Sequence, residues 1–195
     1  MVPYCGPTIS TIASTSLEAN STISPLGHSP CIHTILLTTT GCNHRAPGSP
    51  DIGSLSYGAG LSISSRGEGY YYGGWINNAT DASWGSGPGI LTSYLLQYDM
   101  DSNSWTNTTT PDKVGRVEGV MVYIPAGNNG MLIYFGGIRD AGNGMWEGQL
   151  MEDIIIYDIL SGKLYVQNAT GNVPEPRRQF CAGVTWPDDQ SSCNI

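Results

Sequence analysis

Tyr70-Tyr71-Tyr72-Gly73-Gly74 decides the fold, because the same kind of string returns as Ile133-Tyr134-Phe135-Gly136-Gly137. The first copy is followed by Tyr98-Asp99 and, seven positions on (105 − 98), by Trp105. The second is followed by Tyr157-Asp158 and, eight positions on (165 − 157), by Tyr165. The glycine pairs lie 63 apart (137 − 74) and the Tyr-Asp pairs 59 apart (157 − 98). A repeat of this length marks one supersecondary unit copied around a ring or along a stack.

Each unit reads as four short strands. In the first, Tyr57 to Ser64 and Gly69 to Gly74 flank a turn at Ser65-Arg66-Gly67. A long loop from Trp75 to Ser93 follows, then strands from Tyr94 to Asp99 and Ser104 to Thr108. The second unit repeats the order with Gly119 to Ile124, Met131 to Gly136, a loop from Ile138 to Met151, Asp153 to Asp158 and Lys163 to Gln167. Phe180 to Trp186 opens a third. Apolar runs bounded by Gly, Asn and Pro clusters are the strand signal used throughout.

Composition agrees with short strands. Only 12% of the 195 residues are charged, while 26 are Gly and 12 are Pro. Such a chain is poor in the residues that build long surface helices. Eight basic against 16 acidic side chains leave a net charge of −8, which argues against a nucleic-acid partner, since phosphate binding needs clustered Lys and Arg. No apolar run reaches the roughly 18 residues of a membrane span. Met1 to Asn20 has neither a basic start nor an apolar block, so the expected native N-terminus lies elsewhere. Asn-x-Ser/Thr sequons stand at Asn20, Asn78, Asn107 and Asn168, and with the low Lys content they point to a secreted or lumenal chain.

The order Gly-Gly, Tyr-Asp, aromatic, then Pro and Arg resembles the kelch repeat, over roughly Ser56 to the C-terminus. More narrowly it resembles fungal kelch-type proteins of unassigned function. The wording that carries this is Ser56-Tyr57-Gly58-Ala59-Gly60, Arg66-Gly67-Glu68-Gly69-Tyr70 through Trp75, and Gly115-Arg116-Val117-Glu118-Gly119 through Pro125. The resemblance implies an all-β partial kelch β-propeller with blades over about 56–110 and 116–168 and the start of a third at 178–195. Residues 1–50, rich in Ser, Thr and Pro, form an irregular leader in this reading. A propeller takes about 4 to 8 blades. The expectation is therefore an incomplete ring, with open apolar faces on its end blades and further blades downstream.

Chemistry-bearing residues are sparse. His28, Cys31, His33, Cys42 and His44 cluster, but without the closely spaced Cys pair of a structural zinc site. A Cys31–Cys42 disulfide or no role is the expectation there. Cys181 and Cys193 would fall on adjacent strands of the third blade, as a cross-strand disulfide or with Cys181 simply buried. Cys5 makes the count odd. All three His precede the repeats, so the blades hold no His base for a nucleophile triad. The same lack speaks against a copper oxidase of the galactose oxidase type, which remains the enzymatic alternative. A truncated product without independent function is the other.

Tyr70, Tyr71, Tyr72, Tyr98, Trp105, Tyr134, Phe135, Tyr157 and Tyr165 read as blade core. Arg116 and Arg178, 62 apart (178 − 116), read as equivalent residues at the blade crossings. The loops leading into strand one and those between strands two and three should emerge on one face. That face gathers Trp75, Trp84, Arg116, Arg139, Trp146 and Arg178 as candidate anchors, with no cofactor. The competing structural reading pairs each Arg with a carboxylate such as Glu118 or Glu175. The function expected is a binding module of a secreted or membrane-anchored glycoprotein, its ligand a protein or a glycan.

Overall fold

The computed structural model describes residues 55–186, with Asp188 and Ile195. The leader, the His and Cys cluster, Asn20 and Cys193 lie outside the described residues. Among the described residues thirteen strands form in order. They are β1 (Ala59–Ile63), β2 (Glu68–Tyr72), β3 (Trp75–Ile76), β4 (Ile90–Leu91), β5 (Tyr94–Asp99), β6 (Ser104–Thr109) and β7 (Arg116–Val117). Then come β8 (Val120–Ile124), β9 (Met131–Phe135), β10 (Ile138–Gly142), β11 (Met145–Gly148), β12 (Asp153–Asp158) and β13 (Lys163–Asn168). The fold is all-β. Two antiparallel four-stranded sheets, β1-β2-β5-β6 and β8-β9-β12-β13, are its two blades.

The repeated strings explain the hairpins. Tyr98 and Tyr157 are buried, while the neighbouring aspartates face the turns that follow. Asp99 accepts hydrogen bonds from the Ser102 amide (2.7 Å) and hydroxyl (2.8 Å). Asp158 accepts from the Leu160 amide (3.0 Å) and the Ser161 hydroxyl (2.9 Å). In each unit Tyr anchors the sheet and Asp closes the turn by a local side-chain bond.

Strand alternation then builds three apolar layers. Tyr70 and Tyr72 of the first blade meet Tyr157 and Tyr134 of the second, in one cluster with Leu95, Leu132, Ile155 and Leu164. The Tyr72 and Tyr134 rings meet edge to face at 4.6 Å, a geometry worth about 0.5–1.5 kcal/mol beyond the buried area. Tyr71 and Leu96 point the other way, into a layer with Leu55, Ile76 and part of Trp84 and Trp105. Val122, Ile124 and Ile133 form the third layer, on the far side of the second blade, where Ala182 and Val184 pack on them. β1 and β8 lie side by side, so the sheets converge at their first strands. On the end opposite the Gly-Gly pairs, the Arg66 guanidinium donates to the Asn129 carbonyl across the blades at 3.0 Å.

Four expectations change. The long loops are not structureless: β3 pairs with β4, and β10 with β11 and β7, as small ribbons. Phe180 to Val184 runs outside any strand. The end faces are partly sealed, by Trp84 on one side and by Ala182 and Val184 on the other. Tyr165 is not the counterpart of Trp105. Trp105 pairs with Tyr98, and the residue paired with Tyr157 is Leu164. One position of slip turns a side chain to the opposite face. Leu164 is buried, while Tyr165 is 47% exposed.

Candidate functional face

The crossings between blades are made by backbone, and the Gly-Gly pair makes room for them. Gly74 donates its N–H to the Arg116 carbonyl (2.9 Å), and Gly137 donates to the Arg177 carbonyl (2.8 Å). A Cβ on Gly73, whose φ is +70°, would overlap the Arg116 oxygen; one on Gly137 would overlap that of Val117. Close approach and a left-handed backbone both require glycine here. A second ladder runs beside the first. The Glu118 N–H donates to the Tyr57 carbonyl (2.8 Å) and the Gln179 N–H to the Glu118 carbonyl (3.0 Å). Tyr57, Glu118 and Gln179 all have positive φ (59°, 60° and 53°) and are spaced 61 residues apart (118 − 57 and 179 − 118).

These bonds correct the pairing of the arginines. The counterpart of Arg116 is Arg177, not Arg178. Arg116 is 2% exposed, so it is no surface anchor. Its guanidinium donates to the Val114 carbonyl (2.9 Å), to Gln149 Oε1 (3.2 Å), to the Tyr72 hydroxyl (3.3 Å) and to the Asp112 carboxylate. Burial works against charge on both members, yet their mutual hydrogen bonds hold Arg116 above and Asp112 below their ordinary pKa values. The structural reading of Arg116 holds, with Asp112 as the partner in place of Glu118 or Glu175.

Arg177 finds no such cradle. Phe135 stands where Tyr72 would offer a hydroxyl, since the Gly-Gly pairs are 63 apart. Arg177 is exposed and donates only weakly to the Glu175 carbonyl (3.4 Å). Arg178, 62% exposed, reaches Glu118 at 3.4 Å, and Gln179 Nε2 donates to the same carboxylate at 2.9 Å.

The tyrosines of strand two show another repeated device. The Tyr71 hydroxyl accepts from the Gly58 N–H at 2.9 Å, and a Cβ on Gly58 or Gly119 would strike the ring of Tyr71 or Tyr134 respectively. Burial pushes the Tyr71 phenol up to about 12 and raises that of Tyr134 as well. These hydroxyls stay neutral and structural.

What the two ribbons bring to the surface is aromatic. β3 bridges back to Ser56, and β10 pairs with β7, so each ribbon sits over the lead-in to strand one of its own blade. Trp75 of the first ribbon meets Trp146 of the second edge to face at 5.3 Å. The Tyr57 ring lies 6.4 Å from that of Trp75. Tyr57 and Trp146 are 55% and 45% exposed. On the opposite face of the β10–β11 hairpin from Trp146, Arg139 stands across from Glu147 and bonds Glu147 (2.7 Å) and Asp153 (3.3 Å). Trp84 belongs elsewhere. It ends a short 3-10 turn capped by Asp81, donates its indole N–H to the Pro88 carbonyl (3.1 Å), and packs on the Tyr71 layer.

Of the six expected anchors, Trp75 and Trp146 are thus brought together by the ribbons, Arg139 stands on the opposite face of the second ribbon, and Arg178 stands with Glu118 at the neighbouring lead-in. Arg116 and Trp84 are structural. Tyr57 was missed; its place just before Gly58 in the repeat wording was the available signal. Among the described residues no three His, Cys, Asp or Glu side chains gather as metal ligands, and no helix is long and apolar enough to cross a membrane.

No protein-family model matches the chain. A curated protein of Arthroderma benhamiae (strain ATCC MYA-4681 / CBS 112371), named "Kelch repeat-containing protein", is 27% identical over 164 residues. The match covers 71% of this chain and 24% of that relative, so the chain spans about a quarter of the relative's length. In its repeat wording and in its four-stranded blades, the chain resembles kelch-repeat proteins and is an all-β partial β-propeller.

Proposed function

We propose that the chain is a non-enzymatic binding module of a secreted or membrane-anchored glycoprotein, which holds a protein or glycan ligand on its ribbon face. The observation that carries the reading is the Tyr57–Trp75–Trp146 row, which joins the ribbons of successive blades and leaves two large aromatic side chains in solvent. Exposed aromatics are what binding surfaces use as anchors, and loops on a rigid scaffold are where recognition sits. The kelch-like relative supports an interaction module in general.

The test is a binding screen of the purified chain against immobilised cell-wall polysaccharides and surface proteins. Trp146→Ala is expected to weaken the best ligand by about 2 kcal/mol, near thirtyfold, with the melting temperature almost unchanged. Undiminished binding would remove the face from consideration. Peroxide release from sugar alcohols by copper-loaded protein would overturn the non-enzymatic reading.

A further inference from the structure

Resting on the secretory part of that reading, we propose that Asn107 and Asn168 carry N-linked glycans whose role is to guard the outer edges of the two blades. β6 and β13 are the last strands of their sheets. Each presents an open row of backbone donors and acceptors, a template for pairing with another chain. Proteins blunt such edges with charge, proline or a bulge. β6 reads Ser-Trp-Thr-Asn-Thr-Thr and has no charge and no proline; β13 has Lys163 alone, at its start. Neither strand shows a register shift against its partner. β13 also exposes Tyr165 and Val166, 47% and 46% open. The ordinary devices are missing where they are most needed.

Each of these strands instead carries one sequon asparagine. Asn107-Thr108-Thr109 lies within β6, and Asn168-Ala169-Thr170 closes β13. Both asparagines are exposed. Alternation puts Asn107 on the side of Trp105, and Asn168 on the side of Leu164 and Val166. The two therefore leave their blades on the same side, next to the apolar residues at the rim. The remaining described sequon, at Asn78, sits in a turn rather than on an edge.

The chemistry fits the geometry. The asparagine amide nitrogen forms a C–N bond to the anomeric carbon of a lipid-pyrophosphate oligosaccharide donor. The C–O bond to the pyrophosphate breaks, the lipid pyrophosphate leaves, and one amide hydrogen departs as a proton. The product amide keeps one N–H, the one donor that the bond from Asn168 Nδ2 to Asp153 Oδ1 (3.0 Å) requires. A branched sugar at either position leaves no room for a further strand at the roughly 4.8 Å spacing that pairing needs.

The experiment starts from the full chain recovered from the medium or membranes of cells that make it. Glycopeptide mass spectrometry is expected to find Asn107 and Asn168 modified. Sugar at Asn78 with both edge sites bare would overturn the proposal and leave the secretory reading standing; bare asparagine at all three would overturn both. The guarding role is read by light scattering on the Thr109→Ala/Thr170→Ala double variant, which keeps both asparagines but loses both acceptor signals. Trimming the folded wild-type sugars with an endoglycosidase gives the same readout without mutation. Either treatment should shift monomer toward higher-order species. A monomer that persists after native trimming overturns the guarding role.

Discussion

Arg116 shows how much one side chain can hold when it is enclosed. Its charge is spent on Asp112, Tyr72, Gln149 and a carbonyl, so it ties the crossing segment to both blades. Replacing it with alanine leaves the Asp112 carboxylate and the fully buried Gln149 short of their donor. The expected loss of stability in Arg116→Ala is about 3 kcal/mol, measured by urea unfolding. A loss below about 1 kcal/mol would mean that water replaces the guanidinium easily. The sequence offered Arg116 and Arg178 as a pair because it shows spacing and not which carbonyl a glycine meets. Two adjacent arginines at 177 and 178 made the match ambiguous by one residue. The Gly137 bond to Arg177 resolves it, in step with the 61-residue ladder through Tyr57, Glu118 and Gln179.

At the scale of elements, the strands were the legible part. Tyr94–Asp99 and Asp153–Asp158 could be read to the residue, because Tyr and Asp have different tasks that cannot be exchanged. The aromatic after the turn was harder to read: the turns have equal length and the residue paired with Tyr lies seven positions on in both units (105 − 98 and 164 − 157), but in the second that residue is Leu164 and the aromatic Tyr165 stands one place further. The first ribbon escaped notice because β3 and β4 are two residues each, too short for any period to show. The Gly-Gly pair was read as a feature of strand two, whereas its main partner is the crossing into the next blade. Gly73→Ala should therefore damage the connection between blades. The left-handed backbone alone costs about 1–3 kcal/mol, and the overlap with the Arg116 carbonyl adds to it. Hydrogen exchange should show protection lost at the Gly74 and Arg116 amides, while β5 and β6 keep theirs. Uniform loss across both blades would contradict this placement.

Among the described residues the largest apolar layer lies between the two sheets, with six of its eleven buried members from the second blade and five from the first. Neither blade can bury this face alone, which is the physical reason that such repeats occur in series. The two should unfold together. Far-ultraviolet circular dichroism, reporting strands, and near-ultraviolet signals from Tyr72 and Tyr134 are expected to give coincident transitions; separated midpoints would show that the blades are independent. The repeated strings revealed this serial arrangement. The aromatic row on the ribbons was not legible in them, since Tyr57, Trp75 and Trp146 belong to three segments whose contact depends on the folded crossing.

The ladder through Tyr57, Glu118 and Gln179 is written in backbone alone: one carbonyl, one N–H and one left-handed residue per unit. An aromatic, a carboxylate and an amide occupy the same rung with φ values within 7° of each other (60 − 53). The rung thus sets a position and leaves the letter free. Any side chain that tolerates a left-handed backbone can stand there, β-branched residues being the poorest fit. Chemistry at this mouth can be rewritten one blade at a time while the ruled line beneath it stays fixed.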